Sequence, residues 1–159
     1  MSGQQYINAG EVAVSTMEAL EAFQQKAVLV LRHIDKFFDG SGSERLPKEI
    51  KPLFEEEESK EEIIGFIDMF ANNYLRPIVR HQPDCSCVGA DENIFSNILK
   101  FSLQDKTSEA IILSSLLVRA ETVGELVRKA KTVARLIDEK ISEPVPSIFV
   151  KPNSYTQIH

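Results

Sequence analysis

The strongest constraint on this chain is a seam close to its C-terminal end. Val123, Val127, Ala130, Ala134, Ile137 and Ile141 recur at steps of four, three, four, three and four. That spacing places all six on one stripe of an α-helix, the kind of stripe that packs lengthwise along another helix. Glu125, Arg128, Lys129, Lys131, Arg135 and Asp138 occupy the other face. Thr122 and Glu125 have the capping-box spacing, so the helix is expected to start at Thr122. Pro144 and Pro146 stop it. A stripe of this kind needs a cover, and the cover must come from elsewhere in the chain.

The sequence provides further helices. Ser15 and Glu18 form a second capping pair, followed by Leu20, Phe23, Ala27, Val30, Ile34 and Phe37 on one helical face. Val28, Leu29 and Leu31 widen that face until the middle turn is apolar nearly all round, as in a helix central to a bundle. Gly40–Ser43 should end it. Between Leu46 and Phe54, Pro47 and Pro52 allow a helical turn or two, with Ile50, Leu53 and Phe54 turned inward. Ser59 and Glu62 cap a third helix carrying Ile63, Ile67, Phe70 and Tyr74, with Ile64, Ala71, Leu75 and Ile78 beside them, and Pro77 closes it. Residues 81–91 read as a loop, and Asp91 is placed to cap a fourth helix with Ile94, Phe95, Ile98, Leu99 and Phe101. Thr107 caps a short helix through Val118; its apolar run could also be a buried strand, but no second strand is evident to pair with it.

The expected fold is therefore all-α: a compact antiparallel bundle of five to six helices with extended N- and C-terminal arms. Residues 1–14 form the N-terminal arm, 15–142 the helical domain, and 143–159 an extended tail that still carries Ile148, Phe149, Val150 and Tyr155. A chain of 159 residues is one domain long and can bury a sufficient core without disulfides or metal.

Charge and cysteine usage narrow the function classes. The net charge is -6, which argues against a nucleic-acid partner. Residues 1–75 hold seven basic and fourteen acidic side chains, whereas residues 76–159 hold eleven and ten, so the acidity lies in the first half. No basic segment leads into an apolar run at the start, and the longest apolar stretches, 27–31 and 116–118, are far short of a membrane span. Cys85 and Cys87 are too few and too close together for a secreted disulfide scaffold. The expectation is a cytoplasmic protein with no membrane association.

Possible chemistry is concentrated in one loop. His81, Asp84, Cys85, Cys87, Asp91 and Glu92 lie within twelve residues. Imidazole and thiolate suit zinc, and His81, Cys85, Cys87 and Asp91 are the candidate metal ligands, although His-x3-Cys-x-Cys is not a standard zinc knuckle. The same thiols could exchange with disulfides, though thioredoxin-type sites use Cys-x-x-Cys. A Cys87–His81 nucleophile pair has no evident orienting partner. There is no Gly-x-Ser-x-Gly elbow, no phosphate-binding glycine loop, no His-Glu-x-x-His and no Glu-x-x-His on a helix. A helix-turn-helix reading of 107–141 meets an apolar first helix, an inward seam on the second and no glycine in the turn.

The resulting expectation is a non-enzymatic helical module that works by protein contacts, with a protein partner or by self-association as a homodimer. Its surfaces would be the tail and an exposed part of a helical seam. The alternative is a metal-binding helical domain holding zinc or iron in the His81–Cys87 loop.

Overall fold

The structure, a computed structural model, describes residue 10 and residues 12–38 and 45–141. The described chain is mostly helical and carries one small antiparallel sheet. Strand β1 spans Ala13–Thr16 and a 3-10 turn follows at Met17–Ala19; α1 is Ala22–Arg32, α2 is Asp35–Phe38, and a second 3-10 turn covers Lys51–Phe54. Then come α3 (Glu57–Asn73), strand β2 (Cys87–Gly89), α4 (Ala90–Leu103), α5 (Thr107–Ser114) and α6 (Ala120–Lys140). The tail from residue 143, with Ile148, Phe149 and Val150, and the Gly40–Ser43 stop lie outside the described residues.

The seam on α6 is core. Val123, Val127, Ala130, Ala134, Ile137 and Ile141 are all buried, joined by Leu126 and Val133. Helices α3 and α4 cover it, and α4 packs in turn on α1 and α5. Phe66, Phe70 and Phe95 meet where α3 faces α4, with ring centroids 5.4–5.9 Å apart. No part of the seam is left exposed as a surface for partners.

Several starts and stops differ from the sequence reading. The first helix does not begin at Ser15. Residues 13–16 pair instead with β2, in the register Ala13↔Gly89, Ser15↔Val88 and Thr16↔Cys87. Thr16 then caps the 3-10 turn by accepting from the Ala19 amide at 3.3 Å. The capping pair was sought one residue too early, and an extended β-branched segment took its place. Helix α1 stops at Arg32, with His33 at its C-terminal cap, before a separate turn of helix. Helix α3 begins at Glu57, ahead of Ser59, which is buried inside it. Helix α6 begins at Ala120, ahead of Thr122, likewise buried. Ile50, Leu53 and Phe54 do turn inward.

Candidate functional site

Two regions stand apart from ordinary core and surface. The first is the N-terminal end of α4 with the strand before it. This segment is β2 rather than loop, and Asp91 is not the helix cap. Gly89 holds the cap position, and its amide donates to Glu92 Oε1 at 3.1 Å, the reach-back half of a capping box. The Gly-x-x-Glu spacing was legible, but Asp91 is the residue type usually found at a cap and hid it.

Glu92 and Arg32 are a fully buried ion pair. Arg32 Nε donates to Oε2 at 2.6 Å and Nη2 to Oε1 at 3.0 Å. The rest of the guanidinium is spent on the loop: Nη1 donates to the Cys85 carbonyl and Nη2 to the Cys87 carbonyl, both at 2.6 Å. Glu92 Oε2 also accepts from the His81 amide at 3.3 Å. A planar donor fork thus meets two carbonyls and one carboxylate, and the carboxylate meets two amides. A buried pair persists only when its remaining hydrogen-bonding capacity is filled in this way.

Asp91 makes the companion contact. It accepts from Arg76 Nη1 and Nη2, each at 2.7 Å, and from the Val79 amide at 2.9 Å. This pairing raises the Arg76 pKa, so its charge is permanent. Gly10 lies against the same carboxylate: a Cβ there would fall 2.2 Å from Asp91 Oδ2. Both acids also sit at the positive end of α4. Residues 76–89 are therefore pinned to α1 and α4 through two arginine–carboxylate pairs.

The four candidate metal ligands separate under this geometry. His81 Nδ1 is 3.9 Å from Cys85 Sγ and donates to the Cys87 carbonyl at 3.2 Å. Cys87 is half-buried in β2. Asp91 faces Arg76. Among the described residues, no three His, Cys, Asp or Glu side chains are grouped to hold a metal ion. Burial pushes the Cys85 thiol above its usual pKa, against the opposing pull of a hydrogen bond from the Cys87 backbone and the Arg32 charge, so Cys85 is a protonated, buried thiol at neutral pH. His33, on the α1 cap, donates Nδ1–H to the Leu29 carbonyl at 2.8 Å. Burial depresses its pKa, and Lys36, Arg32 and Arg80 depress it further.

The second region is an apolar corner. The chain leaving α3 runs beside the chain leaving α5: Tyr74 bridges Val118, the Leu75 amide donates to the Leu117 carbonyl at 2.8 Å, and the Arg119 amide donates to the Asn73 carbonyl at 3.0 Å. This brings Tyr74 and Leu75 beside Leu117 and Val118, just past the end of α5. Leu75, Ile112 and Leu116 are 59, 63 and 55% exposed, and Tyr74 and Ile111 are exposed as well. Among the described residues, these five account for most of the exposed large apolar side chains, the others being Val12 and Val14 near β1. Helix α5 is apolar on most sides, but only Ala110 and Ser114 are buried in it. The sequence showed the all-round apolar run in α5 but not which side would be left uncovered.

A half-open apolar groove of about 330 Å³ adjoins this corner, with Ile67, Phe70, Tyr74 and Phe95 in its lining. Its charged rim groups, Arg80 and Asp35, are bonded to each other at 2.8 Å. No helix among the described residues is long and apolar enough to cross a membrane. No family model, no curated protein and no solved structure matches the chain.

Proposed function

We propose that the chain is a non-enzymatic helical module that works by binding another polypeptide through the corner formed by Tyr74, Leu75, Ile111, Ile112 and Leu116. The observation that supports this reading is the outer face of α5. Ile111, Ile112 and Leu116 all stand exposed within six residues of α5 and the turn that follows it. Apolar side chains in one contiguous patch mark surfaces that another chain covers. The charged groups support the same reading from the other side. Arg32, Arg76, Asp91 and Glu92 are all committed to each other and to backbone, which leaves neither carboxylate free for acid–base work.

The test is the native size of the chain in a clarified extract, against an Ile112→Glu, Leu116→Glu variant. The wild-type chain elutes well above its own 17.9 kDa, and the variant elutes as a folded monomer. Monomeric elution of both would remove the reading.

A further inference from the structure

We propose that the cavity between the C-terminal end of α1 and residues 80–83 binds a phosphate group, held by His33, Lys36 and Arg80. Its test does not depend on what binds at the α5 corner.

The cavity holds about 310 Å³, at the small end of the range for ligand sites, which runs from roughly 300 to 1,000 Å³. His33, Asp35 and Lys36 line it from the chain that leaves α1, and Arg80 lines it from the segment ahead of β2.

His33 is the feature that points to a ligand. It is 5% exposed, yet one of its two ring nitrogens is left unbonded. Nδ1 faces the Leu29 carbonyl, which has no proton to give, so Nδ1 carries the hydrogen and Nε2 presents a lone pair. Among the described residues, the partnerless side-chain polar atoms sealed from solvent are Ser86 Oγ and Ser114 Oγ. Nε2 is not one of them, so it opens onto the cavity that its ring lines. A buried acceptor left open in this way calls for a donor.

Around it stand cations with donors unspent. Lys36 Nζ donates to the Arg45 carbonyl at 3.0 Å, which leaves its other hydrogens, and no carboxylate pairs with it among the described residues. Arg80 Nη1 donates to the Leu31 carbonyl at 3.3 Å and Nη2 to Asp35 at 2.8 Å, which leaves its remaining N–H groups. The Arg32 charge is answered by Glu92. Asp35 is the one acid in the lining, and it already faces Arg80. The charge left unanswered at the cavity is therefore positive, in a chain whose net charge is -6. After burial itself, Lys36, Arg32 and Arg80 hold the His33 pKa down, which places all three cations within electrostatic reach of the ring.

The pattern of donors and acceptors selects the ligand. It must present several acceptor oxygens to Lys36 and Arg80 and one hydrogen to Nε2. A carboxylate or a sulfate at neutral pH offers the oxygens without the hydrogen. A phosphate group offers both, because its second pKa lies near about 6 and one proton can be shared between its oxygen and Nε2.

The experiment is isothermal titration calorimetry of the purified full chain at pH 7 with inorganic phosphate, methyl phosphate and sulfate, each variant being checked for helix content by circular dichroism. Phosphate is expected to bind with a Kd of about 1 mM or tighter, and sulfate at least about tenfold more weakly. Lys36→Met weakens phosphate at least about tenfold. Asp35→Asn, at a side chain that is 75% exposed, removes the acid from the lining and tightens phosphate about threefold. Arg128→Met, on the exposed face of α6, leaves binding unchanged. Methyl phosphate bound as tightly as phosphate marks the group as one carried on a larger molecule, and binding of the free ion alone marks the ion itself; both agree with the proposal. No phosphate binding by about 10 mM, sulfate bound as tightly as phosphate, or binding indifferent to both Lys36→Met and Asp35→Asn overturns it.

Discussion

The N-terminal end of α4 and the outer face of α5 reverse the usual arrangement in opposite ways. At α4 two arginines and two carboxylates are drawn into or against the core; at α5 and the turn after it three aliphatic side chains, Ile111, Ile112 and Leu116, are left outside it. The first inversion is settled within the chain. Every charge there has a partner, and the backbone of residues 79–89 fills the remaining hydrogen-bonding capacity. The second is not settled among the described residues, and the proposed function assigns its cover to another chain. Charges paired with one another hold the cysteine loop to the fold, whereas the apolar side chains on α5 have no such cover among the described residues.

The largest expected effect is at the buried pair. Arg32→Met leaves Glu92 as an uncompensated buried charge and two loop carbonyls without their donor, at a cost of about 3–5 kcal/mol in denaturant unfolding. Replacing Glu92 by Met as well does not return the loss, because the Gly89 amide and the Cys85 carbonyl still lack the side-chain partners they have in the native chain. Full recovery in the double variant would mean that the pair does not organise the loop.

The outer contact ranks next. Asp91→Asn exchanges a bidentate carboxylate for a group that cannot accept from all three donors, and costs about 1–3 kcal/mol. Gly10→Ala acts on the same site by crowding, since its Cβ would overlap the Asp91 carboxyl group, and costs about 1–3 kcal/mol by the same measurement. Equal stability in both variants would separate Asp91 from the fold.

A smaller effect follows from His33. Its folded pKa lies below the unfolded value of 6.5, so the unfolded chain binds more protons as pH falls through 6.5. Stability is therefore full at neutral pH and declines below 6.5 until the folded state also takes up its proton. His33→Asn flattens that part of the curve, read from unfolding midpoints between pH 7 and 5. An unchanged slope would place the titrating group elsewhere.

The smallest effect is predicted where the sequence looked most chemical. Cys85→Ser with Cys87→Ser costs about 1 kcal/mol and leaves assembly size unchanged. Elemental analysis of protein purified without chelator checks the rival reading: one equivalent of zinc or iron, absent from the double variant, would make the loop a metal site after all.

Legibility in the sequence followed the length of the pattern. The α6 seam spans nineteen residues, and a slip of one residue in its start leaves the stripe unchanged. All of its members are core. Segments 13–20 and 81–91 are short, and their structure depends on each other: β1 exists because β2 lies beside it, seventy-one or more residues away in the chain. No local pattern carries that pairing. The dense polar side chains of the candidate loop were legible, but the partners that Asp91 and Glu92 have in the structure were not. Their partners are Arg32, which belongs to a helix whose middle turn reads as apolar nearly all round, and Arg76, which precedes Pro77. Neither residue has a spacing relation to Asp91 or Glu92. The exposed side of α5 was hidden for a related reason. A helix apolar on most sides gives no periodicity from which to choose its buried face.

The central claim is that polarity is inverted at α4 for the fold and at α5 for a partner. Its most direct test places a photoactivatable cross-linking residue at position 112 in the living cell, with position 128 on the exposed face of α6 as control. The account predicts a discrete adduct of defined mass from position 112 and none from position 128. An adduct at neither position, with the labelled chain folded and fully expressed, would contradict it.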